Sequence, residues 1–492
     1  MKFNGFVGPS YNLKTVNVDS QRCVNLYPEI IESSTGKEAQ VAYLKSTPGL
    51  RSIIETGSGS VRTIHVDPKG RVFLVIGSEL YRTQYNGYVW ETVKLGDFGT
   101  AKNPVKAASM VIGDDDATVF VDGTTNYLYL YVNSTSTESF GNFASFGYAP
   151  VVNASGIVFI DGYFIYCQKN SNQFFVSDLN SLAVDALSFA SSEGSLDNIV
   201  GIIANHRDLM IFNERSVEVF SNTGNADFPF ERISGGFSEK GCLAAGSIAK
   251  IDNNVFWIGR DDSGQGTVYV TQSLSPQRVS THAVEQAISN DSNIANCTSF
   301  TYQKEGHLFY VLNLTDNTFV YDLSTRLWHE RAYTMSGSLT RHKADCLGFV
   351  SGSNFSFHVV GDYDAAKVYV LDDETYTDDG TEITRLRICP HLSNGLKNLF
   401  YKSLQIDMET GIGLDGGVFG SNPKIMMSFS DDGGHSWSNE LQAAIGKLGN
   451  YKTRVLWRRL GRSRDKVFKL KITDPVPVTI LSAEIDVEVG VS

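Results

Sequence analysis

The chain has few cysteines, and their spacing excludes the usual cysteine-rich architectures. The six cysteines lie far apart among 492 residues, without a Cys-x-x-Cys pair and without a nearby pair of histidines. Neither a zinc site nor a dense disulfide framework is therefore expected, and we predict buried thiols in a reducing compartment. The nine histidines and the acidic clusters also lack metal-ligand spacing, so no metal and no cofactor are expected.

Segments that direct a chain to a membrane are also missing. The first residues, Met1-Lys2-Phe3-Asn4-Gly5, do not begin the apolar core of a secretory signal. No run approaches the ~18 consecutive apolar residues of a membrane helix. We therefore predict a soluble protein that is made in a cytoplasm and does not insert into membranes.

Recognisable catalytic motifs are scarce. There is no Gly-x-Ser-x-Gly elbow and no Walker loop. Residues 206–213 match the catalytic-loop pattern of protein kinases, but Asp97-Phe98-Gly99 precedes them, whereas the corresponding kinase motif must follow. We predict that the chain is not an enzyme.

The residues that are abundant indicate strands and turns. Gly (45), Phe (29) and Tyr (22) are frequent, and long helix-forming stretches are missing. The formal net charge of −12 argues against free binding to nucleic acid, which needs an excess of Lys and Arg. An acidic wall would suit a passage through which DNA slides without adhering.

A strand pattern recurs between about residues 71 and 371. Its leading strands begin at residues 71, 118, 157, 208, 255, 307 and 357, which lie 47, 39, 51, 47, 52 and 50 apart. This period is typical of a propeller blade, whose four-stranded sheet needs neighbours to cover its faces. The sequence therefore predicts an all-β protein with a β-propeller of six or seven blades.

The ends of the chain do not follow this period. We predict an N-terminal, ring-forming arm at 1–55, a propeller at 56–375 and a sandwich-like β platform domain at 376–492, to which the arm can contribute. Residues 372–380 are acidic and rich in turn formers, as in a linker. One short loop helix is predicted over 281–289.

A basic segment near the C-terminus contrasts with the acidic chain. Nine cations lie within residues 452–471, with only Asp465 among them as a carboxylate. Such a run indicates a contact surface. The alternative is a strand pair whose cations face water while Trp457 lies in the core of the domain.

One turn has the pattern of the Asp-box hairpin of sialidases and related propellers. Its residues are Ser430, Asp432, Gly434, Ser436 and Trp437. Such a box is structural, because its Ser and Asp bond turn amides and its Trp packs beneath. A sialidase-like glycosidase would need several copies and an arginine cluster, so this remains the more distant alternative function.

Both ends of the chain resemble one protein family. The residues concerned are Asp19-Ser20-Gln21-Arg22-Cys23-Val24-Asn25-Leu26-Tyr27-Pro28-Glu29, Thr47-Pro48-Gly49-Leu50, Tyr451-Lys452-Thr453-Arg454-Val455-Leu456-Trp457-Arg458-Arg459-Leu460-Gly461-Arg462, Phe468-Lys469-Leu470 and Pro477-Val478-Thr479. On these residues the chain is similar to the packaged-DNA stabilisation proteins of short-tailed phages (podoviruses), the tail hub or nozzle components.

The resemblance implies a structural virion protein of the tail that is assembled in the host cytoplasm. It implies a ring, expected to be a homohexamer, below the portal and its adaptor. This ring would retain packaged double-stranded DNA, support a tail needle, fibres or spikes, and let DNA pass at ejection without specific binding.

For the basic segment we hypothesise an inter-subunit or adaptor interface. The residues assigned to it are Arg454, Trp457, Arg458, Arg459, Arg462 and Arg464. Arginine suits such a contact because its planar fork matches carboxylates. A carbohydrate-binding, receptor-binding propeller is the nearer alternative function, and exposed Trp or Tyr at blade tips would favour it.

Overall fold

Short antiparallel strands make up most of the computed structural model. The structure describes residues 1–31, 42–148, 153–195, 197–260, 264–272, 274–395 and 397–490. The α-helix in these ranges, α1, spans His282–Asn290, as the sequence predicts within one residue. Short 3-10 turns occur at Phe143–Phe146, Ala245–Ser247 and Ile294–Asn296.

The chain begins with five strands that join other parts of the molecule. They are β1 (Tyr11–Asn12), β2 (Ser20–Val24), β3 (Leu26–Ile30), β4 (Ala42–Ser46) and β5 (Gly49–Glu55).

The propeller follows, and within the described residues it has seven blades. The first six are β6–β9 (Val61–Val66, Val72–Ile76, Glu79–Tyr85, Trp90–Asp97), β10–β13 (Lys106–Ile112, Asp115–Val121, Asn126–Val132, Thr137–Asn142), β14–β17 (Ala154–Ile160, Tyr163–Gln168, Gln173–Val176, Phe189–Ser191), β18–β21 (Ile199–Asn205, Asp208–Asn213, Val217–Asn222, Phe230–Ser238), β22–β25 (Ala249–Ile251, Asn254–Arg260, Gly266–Gln272, Ser275–Arg278) and β26–β29 (Thr298–Lys304, His307–Asn313, Thr318–Asp322, Leu327–Met335). A short strand, β30 (Ser338–Arg341), pairs with β29.

The seventh blade closes the ring with a strand from the N-terminal region. Its own strands are β31 (Ala344–Gly352), β32 (Phe355–Asp362) and β33 (Lys367–Asp372). The fourth position is taken by β5, which pairs antiparallel with β33. The strand at 49–55, which the predicted boundary assigned to the arm, therefore forms part of the propeller.

Apolar packing between blades continues around the whole ring. Each pair of neighbouring blades shares one cluster of buried side chains, including the seventh and the first. In that closing cluster, Val359 and Val368 pack with Val61 and Leu74. Stacking thus covers the faces that a single four-stranded sheet leaves exposed. The predicted all-β fold is confirmed, with seven blades.

The C-terminal region forms two facing sheets with the arm. Its first two strands, β34 (Thr377–Asp378) and β35 (Thr381–Glu382), extend the sheet of the seventh blade through β5. The strands of the two facing sheets are β36 (Arg385–Ile388), β37 (Leu392–Ser393), β38 (Leu399–Met408), β39 (Lys424–Ser430), β40 (Leu441–Ala444), β41 (Val455–Arg458), β42 (Arg462–Ser463), β43 (Asp465–Ile472) and β44 (Thr479–Val489). One sheet has the order β3-β4-β44-β38-β41, and the other includes β2-β36-β43-β39-β40. Phe3, Phe6 and Leu44 of the arm lie in the shared core, so the expected contribution of the arm is confirmed.

Strand β2 joins the two domains through hydrogen bonds. It pairs antiparallel with β36 of the sandwich and parallel with β29 of the sixth blade. Asn25, in the left-handed region at φ 54°, donates to the carbonyls of Ala332 and Thr384 at 2.9 Å each. The same side chain accepts from the Ala332 amide at 2.9 Å. The junction is therefore fixed by directional contacts as well as by packing.

Two arginines of β36 are buried at this junction. Strand alternation alone does not predict their burial. Arg385 and Arg387 are 1% and 0% exposed. The arm covers Arg387, whereas Arg385 donates to the carbonyl of Asp474 at 3.1 Å. The guanidinium of Arg387 donates to the carbonyls of Phe6 (2.7 Å), Gly5 (2.9 Å) and Pro9 (3.0 Å) and to Gln21 Oε1 (2.8 Å). It thereby holds the arm in place.

A buried histidine links the arm to the sixth blade and makes this contact pH-dependent. His307 contacts Asp322 through Nδ1 at 2.7 Å and Glu29 of β3 through Nε2 at 2.9 Å. The hydrogen bond to Asp322, with a smaller contribution from Glu29, raises the pKa of His307 to about 9. The stabilisation is complete below the unfolded pKa near 6.5 and is lost as the pH rises through about 9.

We expect this loss to amount to about 3 kcal/mol between pH 6.5 and pH 9, from the difference between the folded and unfolded pKa. The measurement is the melting temperature of the wild type and His307→Gln across this range. The difference in melting temperature between the two proteins should become smaller as the pH rises. A gap that stays constant or widens would contradict the assignment.

Candidate interaction surface of the sandwich

The basic segment lies along one edge of the sandwich. Strand β41 is the last strand of its sheet and pairs with β38, and β42 pairs with the start of the same strand. Alternation along β41 buries Val455 and Trp457 and leaves Arg458 exposed. The edge of the domain therefore presents cations outward and apolar groups inward.

An extra residue between β41 and β42 changes the direction of the side chains. Arg458 lies opposite Ser403 and Arg462 opposite Phe400, so four steps along one strand oppose three along the other. Arg459 takes up the mismatch with a positive φ of 61°, and Gly461 follows at φ 79°. Such a bulge reorients side chains, and here it buries Leu460 while Arg459 remains exposed.

The backbone of the bulge is well bonded, so its conformation is set by the domain. The Arg459 amide donates to the carbonyl of Lys402 at 2.8 Å, and the Leu460 amide donates to that of Tyr401 at 3.0 Å. A non-glycine residue in the left-handed region is uncommon and costs energy. Strain of this kind, at an exposed arginine, is often found at functional sites.

The cations of the segment fall into two groups. Within the described residues, five exposed cations form neither an ion pair nor a side-chain hydrogen bond: Lys452, Arg458, Arg459, Arg462 and Arg464. Arg454 donates to Gln405 Oε1 at 2.7 Å. These five exposed cations are therefore available to bind carboxylates of another molecule.

The remaining lysines are engaged within the sandwich. Lys466 is fully buried, pairs with Asp431 and lies 3.9 Å from the centroid of the Phe429 ring. Lys469 lies 4.2 Å from the Trp437 ring centroid. Lys471 pairs with Glu440 at 2.6 Å. Strand alternation over residues 468–472 places Lys469 and Lys471 on the outer face, and both are half-buried there, whereas Lys466 is fully buried.

The structure places Trp457 in the core of the sandwich, which is the second of the two locations that the sequence analysis allowed. Its side chain belongs to the sandwich core and is 6% exposed. The indole Nε1 donates to the carbonyl of Leu441 in β40 at 3.0 Å, which ties the edges of the two sheets together. In this chain Trp457 thus supports the edge from within, and an interface role for the arginines stays a prediction.

This placement predicts a large effect on stability. Trp457→Ala should lower the free energy of unfolding by about 3 to 5 kcal/mol, because it opens a cavity and removes the bond to Leu441. Arg464→Ala, an exposed change in the same segment, should stay within about 0.5 kcal/mol. Urea denaturation of both variants checks this, and equal stability would contradict the core assignment.

A shallow groove adjoins the exposed arginines. It is lined by Phe400, Tyr401, Lys402, Arg459, Gly461, Arg462 and Glu488. Phe400 is 42% exposed, so its ring forms part of the surface of the groove. Lys402 pairs with Glu488 at 2.7 Å along one wall. The groove therefore combines an apolar floor with a basic rim, as the centre of a protein interface does.

The Asp-box-like turn lies between β39 and β40. Ser430 Oγ accepts from the Gly434 amide at 2.8 Å, and Asp432 accepts from the Ser436 amide at 2.9 Å. Hydrogen bonds from Ser430 and Ser436 hold the pKa of Asp432 below its usual range. Gly434, at φ 98°, supplies a backbone conformation that other residues rarely adopt. These bonds order the hairpin.

Charge is unevenly divided between the two domains. Residues 56–375 contain 21 Lys and Arg against 35 Asp and Glu, a net charge of −14, whereas residues 376–492 contain 15 against 14. The basic edge thus lies in a nearly neutral domain beside a strongly acidic one. Complementary potentials of this kind steer and orient association.

Metal and membrane features were also sought in the described ranges. Those ranges contain no group of three or more His, Cys, Asp and Glu side chains arranged to hold a metal ion. They also contain no helix with the length and apolar character needed to cross a membrane. The six cysteines are free thiols, five of them buried, as predicted.

Two family models match the chain, one for each domain. The model described as bacteriophage P22 Gp10, beta-propeller, matches residues 12–376. The model described as bacteriophage P22 Gp10, beta-sandwich, matches residues 384–488. A comparison with curated proteins found no match.

Solved structures with a similar arrangement are distant. They include the N-terminal domain of Nup159 (9% identity, TM-score 0.40, covering 66% of this chain and 94% of that one). The β-propeller domain of Myceliophteria thermophila Cps50 (Swd1) has 8% identity, a TM-score of 0.41 and coverage of 65% and 98%. YCF48 from Cyanidioschyzon merolae has 12% identity, a TM-score of 0.41 and coverage of 66% and 99%.

Proposed function

This chain belongs to the bacteriophage P22 Gp10 family of phage tail structural proteins, and we propose that it forms a ring in a short tail. The ring lies below the portal and its adaptor, retains packaged DNA, and carries a needle, fibres or spikes. The observation that carries this proposal is the edge of the sandwich, where five exposed cations lack a partner within the described residues.

The basic edge supports assembly through contacts with another virion subunit. Arginine forks bind carboxylates in two-point contacts, and such pairs are strongest where they are desolvated. The exposed Phe400 beside Arg459 and Arg462 offers apolar area to the same contact. A patch on one side of a subunit that meets a different patch on the next gives a head-to-tail contact, which forms a ring when the rotation between subunits divides a full turn evenly. We propose a hexamer.

The acidic propeller supports passage of DNA without specific binding. A net charge of −14 on residues 56–375 repels phosphates, so a DNA duplex passing beside this domain at ejection would not adhere. This role needs no catalysis and no cofactor. We therefore propose a passive, non-enzymatic component that is assembled in the bacterial cytoplasm.

Electron microscopy of the purified chain, alone and with its adaptor, tests the ring. We expect closed rings in at least one of the two samples, and class averages of these rings should show sixfold symmetry. Only monomers in both samples, at concentrations where the adaptor itself binds the portal, would contradict the proposal.

A further inference from the structure

A polar groove lies between the first and second blades of the propeller. It has a volume of about 510 Å³. One wall comes from the β6–β7 turn and strand β8, and the other from strands β11, β12 and β13 and the β12–β13 turn. The groove lies in the propeller, whereas the proposed assembly surface lies in the sandwich.

A network of cations and carboxylates joins the two walls. Arg71 contacts Asp67 at 2.6 Å and Asp116 at 2.9 Å, and Lys69 contacts Asp116 at 2.9 Å. The Arg71 guanidinium lies 5.0 Å from the centroid of the half-buried Tyr131 ring. Burial alone would raise the pKa of Asp116, but Lys69 and Arg71 lower it, so the carboxylate stays charged.

A second ion pair also joins the two walls. Arg82 donates to both oxygens of Glu138, at 3.0 Å and 3.3 Å. Glu138 also accepts from the hydroxyl of the buried Tyr129 at 3.1 Å. The groups are therefore held in fixed positions before any ligand arrives, which lowers the cost of binding.

Free hydrogen-bonding groups complete the lining. The exposed side chains of Gln84 and Ser136 make no hydrogen bond within the described residues, and neither does the hydroxyl of Tyr131. Donors and acceptors thus alternate along the groove, next to an aromatic ring. The two sets of charges nearly cancel, although the domain around them is strongly acidic.

From this arrangement we infer that the groove binds a saccharide. Sugar hydroxyls both donate and accept, which matches alternating guanidinium, amide and carboxylate groups, and the apolar face of a sugar packs on an aromatic ring. A nucleic acid would be repelled by the domain, and an apolar ligand would leave these polar groups unpaired. The hub would then carry a surface for glycans of the host envelope.

Binding to immobilised oligosaccharides tests the inference. The probes are fragments of bacterial surface polysaccharides with neutral, amino-sugar and uronic-acid members. The full chain should bind at least one of them, and Gln84→Ala and Tyr131→Ala should each weaken binding at least about tenfold. Tyr88→Ala is the matched control, because Tyr88 is 92% exposed on the β8–β9 turn of the first blade and does not line the groove.

The outcomes separate this inference from the proposed ring. No binding of any probe at millimolar concentration would overturn it, as would binding that both groove variants retain. Loss of binding in Tyr88→Ala alone would also overturn it. Assembly of the two groove variants should equal that of the wild type, and melting curves should show that both are folded.

Discussion

Arg458→Glu combined with Arg459→Glu is expected to abolish assembly while the monomer stays folded. Both side chains are exposed and lack intramolecular partners in the described residues, so the folded chain loses no ion pair and no side-chain hydrogen bond. In an interface, each reversal replaces an attraction to a carboxylate by a repulsion of several kcal/mol. The association constant should fall at least about a thousandfold.

The measurement is the fraction of assembled protein by sedimentation, with and without the adaptor. A matched control is Arg326→Glu combined with Lys102→Glu, which gives the same change in net charge at exposed positions of the propeller, away from the edge. The control should assemble like the wild type. If the Arg458 and Arg459 double variant assembles normally, the edge is not the contact surface.

Arg387→Met is expected to give the largest loss of stability among single substitutions at the domain junction. The buried guanidinium donates to the carbonyls of Gly5, Phe6 and Pro9 and to the side chain of Gln21, and methionine replaces none of these bonds. Each buried acceptor left unpaired costs about 1 to 3 kcal/mol. We therefore expect the free energy of unfolding to fall by about 5 kcal/mol.

Urea denaturation measures this loss, and limited proteolysis should show early cleavage in the arm. The comparison variant is Arg454→Met, the same change at an exposed position in the same domain, expected within about 0.5 kcal/mol of the wild type. If Arg387→Met were as stable as this control, the arm would be held by packing alone.

The propeller could be predicted from the sequence because it is repetitive. Each of the seven predicted units, for example 208–212 and 255–258, falls in a separate blade. Six lie in the second strand of a blade, and 157–160 lies in the first, because that strand is also apolar. Local patterns recur in every blade, so period and strand type are visible without any long-range information.

The closure of the ring could not be predicted in the same way. Strand β5 pairs with β33, more than 300 residues later, and no local signal marks this partnership. Without this pairing, the sequence is consistent with either six or seven blades. The same holds for β2, whose partners lie in two different domains.

The basic edge was visible in the sequence, but its division into buried and exposed groups was not. Alternation alone indicates that Phe468 is inside and Lys469 outside; Phe468 is buried, whereas Lys469 is half-buried against the Trp437 ring. It does not reveal that Lys466 is buried with Asp431 as its partner, or that the bulge at Arg459 reverses the order of side chains. Such details depend on the neighbouring strand.

The same limit applies to Arg385 and Arg387. In an isolated strand with the pattern Arg-Leu-Arg, the arginines would face water. Arg387 is buried here because residues of the arm, some 370 positions earlier, pack over it. Arg385 is buried against Asp474 of the C-terminal region. Tertiary contacts thus override the local pattern. The only hint in the sequence that the arm packs against the sandwich is that the arm lacks the blade period.

An electron cryomicroscopy map of the assembled tail would test the central claim most directly. We predict the guanidinium groups of Arg458, Arg459 and Arg462 within about 3 Å of carboxylates of an adjacent subunit, the distance of charge-assisted hydrogen bonds. Arginines that face solvent in a complete tail, with the ring closed through other surfaces, would contradict it.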